Sequence, residues 1–546
     1  MHFYPLYRVT TIRTAYMIST SSSAPSKRFI KPACFAICAA FLVLASRGLL
    51  SGYSYWFDEI YSVSASLDTW QQLYQKWILQ SDVHPPLYHI FLKLWMLLLG
   101  SSETATRFLS FVFSLVALSA FSFDAIAGKR WRRVTALLFI GSSPLFAYYA
   151  QETRSYSLVL ALSSIVTLSI LDIRSKDKDI GSSGRNIISL FYYIGAFLLS
   201  ITHYFGWIYV FAISIVLFFE NRIKHARPRA LFVIAAISVW PIWHVVVGNL
   251  GGKSGGDFWI TISPPVIGTI KTFLNGCLPF LAGNGSTYLF VVWGLITALI
   301  LVSARSWISI TSFIMKGYLE IGAIAYETRF ALLSTALVVG LLSLVDLHTP
   351  MSTTRNYIVL LPPVMIALAS SLTMLVNIGG LKSSSGAASS LLVVLIILLL
   401  VQQSWNGLTA KTQAHQNWKS LSEYVKDSKI CTDGCFAINS YGLHDFYFLE
   451  SGSINDLSIS KGAMGTPAST TTLDEQVDYV KPRQDAKILG FQGASGKISD
   501  LIGASKDRVC IQPSQSWENS TFLILPKSLL TGSEEKYGMN KCAIPE

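Results

Sequence analysis

Charged side chains are scarce in this chain. They make up 14% of its 546 residues against 51% hydrophobic, and the mean hydropathy is +0.46. A soluble domain carries nearer to about 25% charge, so the composition excludes a soluble protein of this length. Acids are missing altogether from residues 1–28, a serine-rich stretch holding Arg8, Arg13, Lys27 and Arg28. The same stretch lacks the compact apolar core and small-residue cleavage site of a secretory signal. It reads as a disordered cytoplasmic tail. No repeat with a period of about 20–50 residues is visible, which argues against solenoids and propellers. There are only seven cysteines and no two close CxxC pairs, so a structural zinc site has little to build on. Cys34, Cys38 and Cys277 lie in apolar runs as small hydrophobes. Cys431, Cys435, Cys510 and Cys542 all fall near the C-terminus, and an even number there suits an oxidising compartment and one or two disulfides.

What the chain does have is apolar runs of about 20 residues, one after another, which define a polytopic helical membrane protein. Net charge is +12, and from Ser404 onward 14 basic residues meet 16 acidic ones, so the positive excess belongs to the membrane part. Basic clusters between spans mark cytoplasmic loops. Their dispersal argues against nucleic acid as a partner. A first span over 29–51 runs outward from the basic tail, and a large outer loop, 52–104, follows. Within that loop 87–100 (LYHIFLKLWMLLLG) is short for a span and is expected to be interfacial or re-entrant. The next span, 105–128, ends at Gly128-Lys129-Arg130-Trp131-Arg132-Arg133, which belongs in the cytoplasm. Spans over 134–149, 156–173, 188–202, 204–219, 231–248, 286–303, 329–345, 356–376 and 389–403 then alternate, for a total of about 11. The stretch 249–284 is a Gly-rich outer segment with a short dipping helix, and 304–328 stays inside. The odd count leaves the N-terminus in the cytoplasm and the C-terminus outside. Three regions follow: the tail 1–28, a transmembrane catalytic domain 29–403, and a small extracytoplasmic α/β domain 404–546. The last has strand-like runs at 435–438 and 521–525 and an amphipathic helix at 417–426.

On this topology Asp58, Glu59, Asp82, His84, Glu152, Arg154, His203, His348 and Arg355 converge on the outer side from separate loops. Adjacent carboxylates directly after a span are costly to hold near hydrocarbon. Asp58 and Glu152 each lie within about one turn of an apolar span, flanked by Trp56, Phe57, Tyr149 and Tyr156. The arrangement suits group transfer from an anionic lipid. A partly buried carboxylate can take the proton of an attacking hydroxyl or amine. Arg154 and Arg355 offer planar, bidentate donors to a phosphate or diphosphate leaving group. A Glu152–Arg154 ion pair within its own loop is the plain structural alternative. In His84-Pro85-Pro86 the prolines fix an extended backbone and hold the imidazole still. His84 can then bind donor phosphate, assist proton transfer or ligate a metal. Asp58, Glu152 and His84 are the candidate ligands for magnesium or manganese. Gly251-Gly252-Lys253-Ser254 fails as a phosphate loop because Val247 stands where a glycine is needed.

Several motifs recur together over 50–420. They are Trp56-Phe57-Asp58-Glu59, Asp82-Val83-His84-Pro85-Pro86-Leu87-Tyr88, and Gly100 with Ser102-Glu103 and Arg107. Tyr149-Ala150-Gln151-Glu152-Thr153-Arg154-Ser155-Tyr156 and His203-Tyr204 follow. Arg355-Asn356-Tyr357 with Leu361-Pro362-Pro363, and then Trp418, complete the set. In order and spacing this set resembles the polytopic GT-C glycosyltransferases, the branch that includes protein mannosyltransferases and lipid A aminoarabinose transferases. The resemblance implies an all-α GT-C membrane fold in a bacterial inner membrane. It implies an inverting enzyme that moves a sugar from a polyprenyl-phosphate donor to a lipid, glycan or protein acceptor outside. It casts Asp58 as the catalytic carboxylate with Glu59 beside it, and Glu152 as the second acid. It gives His84, Arg154, Arg355 and Tyr357 to donor phosphate, and Asp82, Tyr88, His203, Tyr204 and His348 to other substrate contacts. The chain departs from the family's Arg-Tyr at Arg355-Asn356-Tyr357. The competing class is a transporter or lipid flippase, which would place ionisable groups near mid-membrane in repeated halves. Here the charges sit at span ends and no half-repeat is visible.

Overall fold

The computed structural model describes residues 27–75, 84–128, 130–175, 182–219, 226–251, 265–278, 322–348, 350–379, 402, 417–438, 445–448, 452–456, 473–483, 485–490, 498–502, 507–513, 521–537 and 539–542. The tail 1–26, Asp82, the expected span 286–303 and nearly all of 389–403 lie outside these residues. The chain forms an all-α membrane bundle followed by a small α/β domain.

The bundle elements are α1 (Ile30–Leu49), α2 (Phe57–Leu67), α3 (Leu87–Leu99), α4 (Glu103–Gly128), α5 (Trp131–Gly141), α6 (Pro144–Tyr149) and α7 (Tyr156–Ser175). They continue with α8 (Ser182–Ser200), α9 (Tyr204–Phe218), α10 (Ala226–Gly251), α11 (Pro265–Cys277), α12 (Gly322–Asp346) and α13 (Leu361–Gly379). Among the described residues four helices are long and apolar enough to cross a bilayer: Lys27–Leu49, Glu103–Gly128, Tyr156–Ile173 and Tyr326–Asp346. Large apolar side chains such as Phe35, Phe123, Leu332 and Leu344 are exposed on them, as a hydrocarbon solvent requires. The window of α7 is 89% buried while that of α1 is 22% buried, so α7 is the central post and α1 lies at the periphery.

Small hydroxyl residues let the central helices approach closely and bond across their seams. Ser114 Oγ meets Ser157 Oγ at 3.2 Å between α4 and α7. Thr167 Oγ1 meets the Tyr209 hydroxyl at 2.6 Å between α7 and α9. Helix α3 has 13 residues, or about 20 Å, too short for a hydrocarbon core of about 30 Å. It buries Leu87, Tyr88, Leu92 and Met96 and exposes Leu94, Leu97 and Leu98, the pattern of a helix laid against the bundle. Gly100, at φ +83°, ends it where a side chain would be strained.

Two expected spans are interrupted. The one at 134–149 breaks at Ser142-Ser143, and Pro144 opens α6, since proline lacks the N–H that an uninterrupted helix needs. The one at 356–376 begins as a 3-10 helix, Thr354–Leu360, and becomes α-helical where Pro362 and Pro363 occupy the first turn of α13. The arginines of the Arg130–Arg133 cluster are largely paired. Arg133 Nε lies 2.6 Å from Asp124 Oδ2, Arg130 Nη1 3.4 Å from Asp172 Oδ1, and Arg132 Nη2 2.8 Å from Glu327 Oε1. This lattice ties α4, α5, α7 and α12 together at the end of α4 opposite Glu103.

The C-terminal domain opens with α14 (Trp418–Asp427). Its strands are β1 (Cys431–Ile438), β2 (Gly452–Asp456), β3 (Ile488–Gly490), β4 (Arg508–Pro513), β5 (Phe522–Pro526) and β6 (Met539–Lys541), in one sheet ordered β2-β1-β3-β5-β4-β6. β1 runs parallel to β2 and β3, and the other neighbours are antiparallel. Cys431–Cys435 and Cys510–Cys542 are disulfide-bonded. Cys34 and Cys277 are buried free thiols.

Candidate active site

The two adjacent carboxylates separate because a helix starts at them. Trp56 is extended, and Glu59, three residues on, folds back so that Oε2 accepts its backbone N–H at 3.3 Å, the glutamate half of a capping box. Phe57, Asp58 and Glu59 are thereby the first turn of α2. Neighbours on a helix point roughly 100° apart, so the two acids meet different surroundings. Glu59 is fully buried and forked by Arg107, with Nε to Oε1 at 2.9 Å and Nη2 to Oε2 at 2.7 Å. The Thr153 N–H donates to Oε1 at 2.9 Å. Glu59 is thus committed to holding α2, α4 and the 150–155 turn together.

Asp58 keeps about a fifth of its side chain accessible, with Arg355 Nη1 at 2.7 Å and Arg154 Nη2 at 3.8 Å from Oδ2. Arg154 is steadied by Ser62 Oγ at 3.0 Å and the Asp58 carbonyl at 3.3 Å. Arg355 lies over the rings of Trp56 and Tyr156, 5.9 and 5.8 Å from their centroids. Burial opposes its charge, but Tyr156, Asp58, Tyr149 and Glu152 outweigh it and hold the guanidinium above the usual arginine range. Arg355→Lys keeps the charge and loses the fork. A roughly 10-fold weaker grip on a phosphate anion is expected, the equivalent of one charge-assisted hydrogen bond; titration of the wild type and the variant with an anionic ligand checks it.

Beside this pair lies a row of rings. His84 stacks on His203, with centroids 4.7 Å apart and planes at 28°. Tyr204 lies 6.4 Å from His84, and Tyr156 5.9 Å from His203. His203 caps α9, its Nδ1 accepting the Phe205 N–H at 3.2 Å, which places its proton on Nε2. The chain therefore runs from Arg355 through Tyr156 and His203 to His84.

Other expected residues sit differently. Glu152 is fully buried in the turn before α7, its carbonyl accepting from Ser110 Oγ at 2.5 Å. Tyr88 is buried on the inner face of α3, 6.1 Å from the His89 ring. Tyr357 is completely buried, and its hydroxyl reaches Ser352 Oγ at 3.1 Å and the Thr269 carbonyl at 3.4 Å. The hydroxyl supports the loop behind Arg355. His348 is exposed at the end of α12, where its N–H bonds the Val345 carbonyl. Among the described residues no three His, Cys, Asp or Glu side chains group as metal ligands. Asp58 faces the guanidinium groups of Arg355 and Arg154. Two contributors went unassigned in the sequence. Arg107 is one; Glu103 and Arg107, four apart at the head of a span, were a readable sign. Lys93 is the other, buried in α3 with Nζ donating to the Ser66 and Asp68 carbonyls at the end of α2, where the helix dipole favours a cation.

Fold and site together define a bundle of apolar helices, four of them among the described residues long enough to cross a bilayer, with a carboxylate held between two guanidinium groups. Among solved structures the chain is similar to ArnT from Cupriavidus metallidurans in the apo state, with TM-score 0.51 and 14% identity over 90% of this chain and 97% of that one. ArnT from the same organism bound to undecaprenyl phosphate aligns with TM-score 0.45 and 13% identity over the same shares. At such identity the likeness is one of fold. No protein-family model and no curated protein matches the chain.

Proposed function

We propose that the protein is a glycosyltransferase that moves a sugar from a polyprenyl-phosphate donor to an acceptor at the membrane face carrying the C-terminal domain. The observation that carries this reading is the Asp58 carboxylate set between Arg355 and Arg154 at the head of α2. Two fixed guanidinium groups suit the developing charge of a phosphate leaving group. The acceptor hydroxyl or amine attacks the anomeric carbon from the side opposite the phosphate. Asp58 takes its proton, a new bond forms at that carbon, and the bond to the phosphate oxygen breaks with inversion. Polyprenyl phosphate leaves on Arg355 and Arg154. While Arg355 holds Oδ2, Asp58 is engaged; a donor phosphate competes for that guanidinium and frees the carboxylate to act as base. The imidazoles of His84 and His203 serve donor and sugar, and Glu152, buried in the turn before α7, adds its charge behind Arg355.

A lipid donor is supported by a cavity of about 690 Å³ between α11, α12 and α13, lined by Ile270, Phe273, Leu332, Val339, Val364 and Leu368 among others. Phe273 packs edge-on against Tyr357, at 5.6 Å, below the 3-10 helix that carries Arg355. Incubation of the purified protein with a panel of polyprenyl-phosphate sugars, followed by thin-layer or mass analysis of released polyprenyl phosphate, tests the reading. Turnover of at least one donor is expected; inertness toward every one, with acceptor membranes present, would end it.

A further inference from the structure

We infer that Tyr447, in the C-terminal domain, is a positioning residue for Asp58. The inference rests on the transferase reading for its kinetics, though not for its geometry. Residues 52–55 lead directly into Trp56-Phe57-Asp58, and the C-terminal domain grips them at several points. The Tyr55 N–H donates to the Tyr447 hydroxyl at 2.8 Å. That hydroxyl in turn donates to Glu103 Oε1 at 2.9 Å. Phe446 packs edge-on against the Tyr55 ring at 5.6 Å. The Trp418 N–H donates to Ser54 Oγ at 3.2 Å, and Lys419 Nζ lies 2.7 Å from Glu103 Oε1.

The direction of the chain of bonds is set by chemistry. A backbone N–H can only donate, so the Tyr447 oxygen accepts from it and its own proton goes to the carboxylate. Burial, and then Glu103, push the Tyr447 phenol far above its ordinary range, so it keeps that proton.

The same helix end finishes the link. Glu103 and Arg107 stand four residues apart at the head of α4, neighbours on one face. Glu103 holds the C-terminal domain. Arg107 holds Glu59 and also the carbonyls of Tyr53 and Ser54, at 2.8 and 3.1 Å. The Tyr55 hydroxyl bonds Thr106 Oγ1 at 2.7 Å, and Thr106 bonds Thr153 Oγ1 at 3.0 Å. The segment 53–55 is clamped from both sides, and the next three residues deliver the carboxylate. A small displacement of a reacting group is costly, about 100-fold for 1 Å.

The test compares full-length wild type with Tyr447→Phe, which keeps the ring and removes the hydroxyl. Tyr424→Phe is the control: it removes the bond from Tyr424 to Glu534, 2.8 Å long, elsewhere in the same domain. For Tyr447→Phe, kcat is expected to fall about 10-fold or more, with donor KM within about twofold, and amide exchange across 53–62 is expected to quicken. Tyr424→Phe is expected to leave kcat and that exchange unchanged. Wild-type exchange and kcat in Tyr447→Phe, or an equal kcat loss in both variants, would overturn the inference. Should wild type transfer no sugar from any donor, the functional reading fails on its own, and exchange across 53–62 still decides whether Tyr447 holds the segment.

Discussion

Asp58→Asn yields a folded protein whose transfer rate falls by about 10³-fold, within the span that a positioned general base contributes. The substitution changes almost nothing else. Asparagine matches the shape of aspartate, its amide oxygen can still accept from Arg355 Nη1, now 2.7 Å from Oδ2, and the helix start is held by Glu59. The side chains of Arg355 and Arg154 are 19% and 10% exposed and lose a countercharge, which a modest drop in thermal midpoint should register, while both guanidinium groups remain available to a phosphate. Donor binding should therefore survive while proton removal does not. Measurement of single-turnover transfer alongside donor binding separates the two. Transfer within about 10-fold of wild type would remove Asp58 from the role of base.

The neighbouring acid is expected to fail for the opposite reason. Glu59→Gln leaves Arg107 buried with its partner's charge gone, and breaking one side of such a pair costs about 3–5 kcal/mol. The side chains of Arg107 and Glu59 are 5% and 1% exposed, so solvent cannot compensate. The loss should appear first as a lower thermal midpoint in detergent and poorer yield, with activity falling because 53–62 is no longer held. Arg107→Met should do the same. A Glu59→Gln protein as stable as wild type, and dead, would instead put Glu59 among the groups that touch substrate.

That contrast marks how far the residues could be read. Trp56-Phe57-Asp58-Glu59 announced a site because paired acids beside a hydrophobic run have few other uses. Which acid meets Arg355 and Arg154 depends on helical phase, and the phase is visible only with the cap formed by Glu59 on Trp56. Arg154 and Arg355 were legible as cations at span ends, and both reach Asp58. The resemblance groups Tyr357 with Arg355; in a 3-10 turn residues two apart point to different sides, and the Tyr357 hydroxyl bonds Ser352. The break at Ser142-Ser143 carried a readable proline, whereas the pairing of Arg130–Arg133 with Asp124, Asp172 and Glu327 joins segments up to 195 positions apart, beyond any local pattern. The docking of Phe446 and Tyr447 on 52–55 is equally non-local.

The apolar cavity between α11, α12 and α13 has rim residues Val266, Ile270 and Leu332 that are exposed on the outside of the bundle. On the proposed function, a lipid donor entering there comes sideways, out of the leaflet, without crossing the aqueous phase. Its supply is then a two-dimensional quantity, reckoned per lipid neighbour and not per litre. Doubling the detergent or phospholipid around a fixed amount of donor starves such an opening as surely as removing half the donor.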